Sequence, residues 1–418
     1  MSTSADRERA ARLLMRIEKG AFASRLLGRI PAAGVRTRVL GVLRWLRPLD
    51  AAVEKVAGRK CATLDPEVRA VLRIGLFEIE VLGIPAAVAG DGAVHLIRRL
   101  GKARASGLVN AVMRRAPGLV AQLLADGGPA FRNSHPDWLW RRWVSVFGED
   151  RARKAMEAAQ QPAALWAWFR DQGELNAFRD RGVPLTPHSW MPDAWCSKGR
   201  ELVQVVAEGR AYAQDPASQL VAWLAVMVAR EGATMVDLCA APGGKAARAV
   251  RDGAFVLAVV ADLNLMRLRL TDRLFSNVES GVHRVVQNAA ETALKPGSWD
   301  VVLLDAPCTG TGTLRRHPEL RWRLRPGDIS ERARLQEELI EAAYALVASG
   351  GVLLYSTCSM EPEENEAHFR TLRAGFEVED VSVLLPEGSG AVPTSQGGFR
   401  LIPQENCDGF TVHALRRR

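Results

Sequence analysis

The sequence predicts three successive segments: an all-helical region over residues 1–125, a small mixed α/β region over 130–210, and a wound α/β sheet over 211–418. Three observations predict them. Apolar residues recur at helical spacing up to about residue 125, with no strand-like alternation. Gly127-Gly128-Pro129 then marks a loop. Beyond about Gln214, strand-like runs alternate with helical ones, the mark of a wound sheet. The 418 residues are enough for a packed core in each segment. A composition of 48% hydrophobic and 25% charged residues excludes disorder throughout.

In the first segment, helices are expected over Ala10 to Leu27, Val35 to Trp45, Val68 to Val81 and Ala105 to Met113. This segment holds 22 Lys plus Arg against 10 Asp plus Glu, a net of +12, although the whole chain carries only +9; the remainder is therefore −3. Only 8 of the 56 cations are Lys, as the codon bias of a GC-rich genome would give. Such bias spreads Arg evenly, so the asymmetry points instead to a basic module for a polyanionic partner. In the second segment Trp138, Trp140 and Trp143 share an expected helix, and Leu165 to Phe169 reads as a strand. These tryptophans either pack a core or stack on bases, and core packing is the commoner use.

Strands are expected in the third segment over Thr234 to Leu238, Phe255 to Ala261, His283 to Val286, Val301 to Leu304 and Val352 to Tyr355. Two more, near Phe376 to Val383 and Phe410 to Leu415, would make a mostly parallel seven-stranded sheet. Helices are expected over Ala246 to Arg251, Asn264 to Asn277 and Ile329 to Ala348. The six cysteines (Cys61, Cys196, Cys239, Cys308, Cys358 and Cys407) are too scattered for a disulfide scaffold. Without a C-x-x-C pair no zinc ribbon or other metal is expected. The start of the chain lacks a signal peptide's apolar core. The longest uncharged stretch, Ala342 to Met360, is broken by Ser349-Gly350-Gly351, so no membrane segment is expected. A cytoplasmic, reducing setting follows.

The first strand of the sheet runs into Asp237-Leu238-Cys239-Ala240-Ala241-Pro242-Gly243-Gly244-Lys245, directly before a helix. Small residues there let a ligand approach the backbone. A phosphate loop fails, because Cys239 replaces the first glycine and Ala246 the hydroxyl residue. No G-x-G-x-x-G turn occurs either. Asp262, at the end of the second strand, suits the two hydroxyls of a ribose, and Asn288 is placed to meet an adenine edge. An adenosine ligand without phosphates fits this set, such as S-adenosylmethionine.

The fourth and fifth strands end in Asp305-Ala306-Pro307-Cys308 and Ser356-Thr357-Cys358-Ser359. Strand C-termini of an open α/β sheet line one crevice, so two thiols and a carboxylate converge beside the cofactor. Methylation of a pyrimidine at carbon 5 needs such a set. That carbon becomes nucleophilic only after a thiolate adds to carbon 6. Asp305 is expected to hydrogen-bond the ring nitrogen. Lys245, Arg315, Arg316, Arg321 and Arg323 are candidates for stabilising the thiolate or holding substrate phosphates.

These segments resemble the Sun/Fmu-type RNA cytosine-5 methyltransferases. So do Gln214-Asp215-Pro216-Ala217-Ser218-Gln219, Arg315-Arg316-His317-Pro318 and Asp408-Gly409-Phe410. The first 125 residues are similar to the NusB-type RNA-binding domain carried by the small-subunit rRNA methyltransferase B branch. The resemblance implies an all-α NusB-like domain, a small α/β linker domain that binds substrate, and a Rossmann-like methyltransferase domain. It implies a monomeric enzyme acting on small-subunit (16S) rRNA. Cys358 would be the nucleophile and Cys308 would assist product release, an assignment chemistry alone leaves open because DNA cytosine-5 methyltransferases use a Pro-Cys thiol. Cys239, Ala240, Ala241, Pro242, Gly243, Gly244, Lys245, Asp262, Arg267, Asn288 and Asp305 would be cofactor-site positions. Two departures stand out: Asn288 occupies a position where the family commonly has Asp, and Ala246 one where a hydroxyl residue is common. An enzyme of the same chemistry acting on tRNA, and a non-catalytic RNA-binding assembly factor, are the competing functions.

Overall fold

The computed structural model describes residues 4–28, 32–197, 199–253, 255–275 and 281–418. The chain divides into two compact units. The first extends to Pro162 and takes in Leu314–Arg323; the second comprises Ala163–Thr313 and Leu324–Arg418. This division cuts across the three expected segments, because the helices Asp137–Phe147 and Glu149–Gln160 belong to the first unit.

The first unit is helical. Ser4–Glu18, Ala33–Arg44, Leu46–Ala57, Pro66–Glu80, Ala86–Arg99 and Ser106–Arg115 close around one apolar core that includes Leu14, Val39, Leu72, Ile97 and Val112. The single helix expected over Ala10 to Leu27 is two, Ser4–Glu18 and Ala23–Leu27. Gly20 ends the first with φ +104, a left-handed cap that side-chain-bearing residues resist. Several basic residues of this unit face inward. Arg7 and Arg38 both bond buried Glu78, at 2.9 and 2.7 Å, and Arg73 clasps Asp50. Trp143 is fully buried, so that member of the tryptophan trio packs a core.

The second unit begins with a βαββαβ motif of four strands: β1 (Trp166–Phe169), β2 (Thr186–Pro187), β3 (Trp195–Cys196) and β4 (Ala211–Ala213), in the order β2-β3-β1-β4. Alternation along β1 sends Ala167 and Phe169 to the helices Gln172–Arg179 and Glu201–Ala207. Trp166 and Trp168 point the other way and are buried with Ala217, Leu220 and Ala246. This aromatic face serves packing and leaves no ring free for a base.

A nine-stranded sheet follows: β5 (Thr234–Asp237), β6 (Leu257–Asp262), β7 (Val282–Val286), β8 (Trp299–Asp305), β9 (Val347–Thr357), β10 (Phe376–Val378), β11 (Val392–Pro393), β12 (Phe399–Leu401) and β13 (Phe410–Arg417). Its order is β11-β12-β13-β9-β8-β5-β6-β7, with β10 also on β13. β7, β6, β5, β8 and β9, adjacent in that order, form a parallel body, and β13 runs antiparallel to β9. Nine strands replace the expected seven because β11 and β12, at two and three residues, are too short to show alternation. The helix expected over Asn264 to Asn277 shrinks to Leu265–Leu268 and a 3-10 turn, Arg269–Thr271; Asn277 itself lies outside the described residues. Thr271 Oγ1 donates back to the Leu268 carbonyl at 2.7 Å and tightens that turn. Order reverses between β5 and β8, and the C-terminal ends of β5, β6, β8 and β9 share one edge.

Candidate active site

At that edge the loop after β5 is knitted to β6 by its backbone. Ala240 N donates to Ala261 O at 2.8 Å, Ala241 N to Asp262 Oδ2 at 3.2 Å, and Gly243 N to Ala240 O at 2.6 Å. Arg267 Nη2 fastens the Ala241 carbonyl at 2.6 Å, and its Nη1 lies 3.7 Å from Asp262 Oδ2. The Ala241–Pro242 peptide is cis. The glycines are required by close approach, but the approaching groups are the protein's own. A Cβ on Gly243, where φ is +100, would sit 2.7 Å from Thr271 Cγ2, and one on Gly244 would sit 2.4 Å from the Tyr212 ring. Lys245 and Ala246 follow in the helix Gly244–Asp252, Ala246 fully buried.

Asp262 is nearly buried, and its Oδ1 also accepts from Asn264 N at 2.9 Å. Asn288 is exposed, with Oδ1 accepting from Ala290 N at 3.2 Å, so one of its carbonyl lone pairs is already used as a cap. Burial, then the charge of Asp237, pushes the Cys239 thiol far up, which keeps it protonated. Asp237 tests the fit of the cofactor. Its Oδ1 accepts from Cys239 N at 3.3 Å, whereas buried Oδ2 has no hydrogen-bond partner among the described residues. Burial, joined by the charge of Asp305, pushes this carboxyl up to about 8. An orphaned acidic oxygen beneath the loop suits a ligand that carries positive charge, as S-adenosylmethionine does in both its ammonium and its sulfonium.

The register of β8 on β9 sets Asp305 beside Ser356. Asp305 Oδ1 accepts from Ser356 Oγ at 2.9 Å and Oδ2 from Lys245 Nζ at 2.5 Å. Both oxygens are thus engaged as acceptors, with Lys245 Nζ the donor on Oδ2. Burial opposes the charge on Lys245, but Asp305, with Cys358 and Asp237 behind it, outweighs burial and holds its pKa above the usual value. Its ammonium also lies 5.0 Å from the centre of the Phe410 ring. Cys308 and Cys358, both half-buried, meet with their sulfurs 3.4 Å apart. The hydrogen bond to Cys358, followed by burial and the charge of Cys358, pushes the Cys308 thiol well up.

Residues outside the predicted site set also surround the thiols. Gly312 N donates to Cys358 O at 2.9 Å, and Gly409 N to Gly312 O at 2.8 Å. A Cβ on Gly312 would stand 2.3 Å from Gly409 O. Asp215 caps the helix Pro216–Met227 and accepts from Asp408 N at 2.9 Å, so two of the recognised segments meet. Glu364 and Asn365, both fully buried, bond the turns around the cysteines. Their only sequence signal is the acidic run after Cys358, which reads as a solvated turn.

The arginine candidates behave differently. Arg321 is fully buried in the first unit, donating to the carbonyls of Ser134 and Ala159 at 3.2 and 3.0 Å and to Gln160 Oε1 at 2.7 Å. Arg323 donates to the Ile17 and Ala21 carbonyls at 2.6 and 2.5 Å. Both hold helix ends and loops together, which corrects their reading as phosphate or thiolate partners. Arg315 is buried in the same unit. Lys245, in the second unit, interacts electrostatically with Cys358.

A Rossmann-like sheet with its small-residue loop and acidic strand ends on one edge defines a nucleoside-binding α/β domain, and the relatives make its class methyltransferase. A family model described as 16S rRNA methyltransferase RsmB/F matches residues 224–416, and the NusB family model matches 4–117. The ribosomal RNA small subunit methyltransferase B of Vibrio cholerae serotype O1 is 31% identical over 396 residues, covering 90% of this chain and 88% of that protein. Its namesake from Escherichia fergusonii is 32% identical, covering 90% and 89%. The solved structure of PH0851 superposes over the full length of both chains with a TM-score of 0.78 at 23% identity. The chain belongs to the ribosomal RNA small subunit methyltransferase B family. The methyl donor of that family is S-adenosylmethionine.

Proposed function

We propose that the protein forms 5-methylcytosine in small-subunit rRNA through a covalent bond between Cys358 and carbon 6 of the target base. The observation that carries this reading is the 3.4 Å approach of the Cys308 and Cys358 sulfurs beside the Lys245–Asp305 pair. Cys358, as thiolate, forms the S–C6 bond and pushes an electron pair to carbon 5. Lys245, held by Asp305, donates a hydrogen bond to the pyrimidine ring as charge develops there. The bound cofactor supplies an electrophilic methyl group. Once the Cys358 sulfur is bonded to carbon, its charge and its acceptor role toward Cys308 vanish, and these are leading causes of the raised Cys308 pKa. Cys308 can then release its proton to solvent and take the proton from carbon 5. The C5–H electron pair restores the double bond and expels Cys358 as thiolate.

Asp262, Arg267, Asn288 and the loop Cys239–Lys245 would hold the cofactor, with Asp237 facing its positive charge. Residues 1–125 would hold rRNA. A cleft of about 730 Å³ in that region, lined by Arg59, Arg104 and the Lys102–Asp65 pair, supports this. The target base must be unstacked to reach the thiols.

Two variants test the reading. Cys358→Ala should abolish both methylation and any RNA adduct. Cys308→Ala should retain methyl transfer to the first base bound and accumulate a denaturation-resistant protein–RNA adduct. Normal turnover by Cys358→Ala would overturn the assignment, and bisulfite sequencing of rRNA from a deletion strain would locate the base.

A further inference from the structure

Glu364 lies six residues beyond Cys358 in a run of acidic residues, yet it exposes no surface. Its carboxylate accepts four hydrogen bonds. Oε1 receives Ser359 Oγ at 2.5 Å and Thr309 Oγ1. Oε2 receives the Thr309 backbone N–H at 2.8 Å and Gln336 Nε2 at 3.1 Å. No Lys, Arg or His pairs with it among the described residues, and burial raises its pKa against the pull of those four donors. A buried carboxylate without a cation is costly to keep and needs a reason.

The donors supply the reason. Thr309 directly follows Cys308, and Ser359 directly follows Cys358. We propose that Glu364 is a positioning residue that locks the turn carrying Cys308 to the turn carrying Cys358 and so sets the reach between the two sulfurs. Its surroundings brace it for this task. Gln336 Nε2 also donates to Pro307 O at 3.0 Å, the Tyr355 hydroxyl donates to Glu364 O at 2.6 Å, and Asn365 bonds Thr357 Oγ1 and Ser359 O. Its charge also bears on the Cys308 thiol. It adds to what keeps Cys308 protonated, whereas the ammonium of Lys245 stands next to Cys358.

The consequence for turnover rests on the cysteine roles proposed above, so the test reads the spacing separately from the chemistry. Phenylarsine oxide forms two As–S bonds with a close pair of thiols and releases its oxygen as water. Its capture rate is measured without RNA or cofactor, against Cys308→Ala as the background lacking the pair. Glu364→Ala should be captured at least tenfold more slowly than the parent. Its kcat should fall at least tenfold with KM for RNA within twofold, and the RNA adduct should persist. Glu364→Gln keeps an oxygen for the Thr309 N–H and should regain at least a third of both rates. Capture and kcat unchanged in Glu364→Ala would overturn the proposal. Should that variant fail to fold, Thr309→Val, which removes one donor and spares the carboxylate, carries the same readouts with about threefold effects expected and no effect overturning the proposal. Slowed capture together with no RNA adduct in any variant would support the positioning role and sink the covalent mechanism.

Discussion

The loop after β5 and the turns after β8 and β9 share one edge of one sheet but are built by opposite means. Backbone groups and small residues hold the cofactor loop: carbonyls, amides, two glycines and a single arginine cross-tie. Buried polar side chains hold the cysteine turns, with Glu364, Asn365, Thr309, Thr311 and Ser359 bonded into one network. A cofactor loop must leave space, which small residues provide. A pair of thiols must keep a fixed separation, and hydrogen bonds between side chains fix it. Substitutions should therefore act steeply on the cysteine side and gently on the cofactor side.

Gly312→Ala should have the largest effect of the substitutions that spare the thiols. Its methyl group would fall 2.3 Å from Gly409 O and 2.9 Å from Cys358 O, both backbone atoms that cannot turn aside. Overpacking of this kind costs about 3 kcal/mol, and the turn carrying Cys358 would move with it. Thermal unfolding should drop and the phenylarsine oxide capture rate should fall together. A stable variant with normal capture would show that the turn has slack, and the contrast between the two sides would be lost.

Asp237→Asn probes a buried acid of the cofactor side whose carboxyl is pushed up. With the folded pKa at about 8 and an ordinary carboxyl near 3.8, the native state binds more protons than the unfolded state between those values. The contribution to stability is present below the lower value and is lost as pH rises toward 8. Asp305 and Asp262 oppose the ionised form, and Lys245 favours it. The parent should therefore lose on the order of a few kcal/mol from this group between pH 5 and 9, and Asp237→Asn should flatten that decline in denaturant titrations. Bound cofactor should also flatten it by supplying positive charge. A parent profile already flat without cofactor would mean that Oδ2 is satisfied by other means.

The same contrast explains what the sequence revealed. The cofactor side is legible because its constraints are local: a strand, a run of small residues, then acids at the next strand ends. Cys308 and Cys358 were legible as strand-end thiols for the same reason. Glu364 was not, because its partners come from two turns 55 and 5 residues away, and only the fold brings them together. Arg321 and Arg323 misled for the converse reason. They follow the Cys308 turn closely in sequence, yet they bond carbonyls of the first unit. Proximity along the chain predicted a role for them that their hydrogen bonds to these carbonyls replace. The strand count failed at β11 and β12, where two or three residues are too few to show a period.

Asn288→Asp should give the smallest effect, and in the favourable direction. Asn288 sits just past β7, exposed, with Oδ1 already capping Ala290 N. A carboxylate there could keep that cap and present a second, charged oxygen to an adenine amino group. Hydrogen bonds to a charged acceptor are roughly twice as strong as neutral ones, so cofactor affinity should rise about threefold to tenfold in calorimetric titration. Among the described residues the cysteine turns share no hydrogen bond with Asn288, so phenylarsine oxide capture should stay at the parental rate. An unchanged Kd would mean that the end of β7 makes no contact with the cofactor, leaving Asp262 and the backbone of the loop to hold it. A changed capture rate would mean that the two sides are mechanically coupled, and the division drawn between them would have to be abandoned.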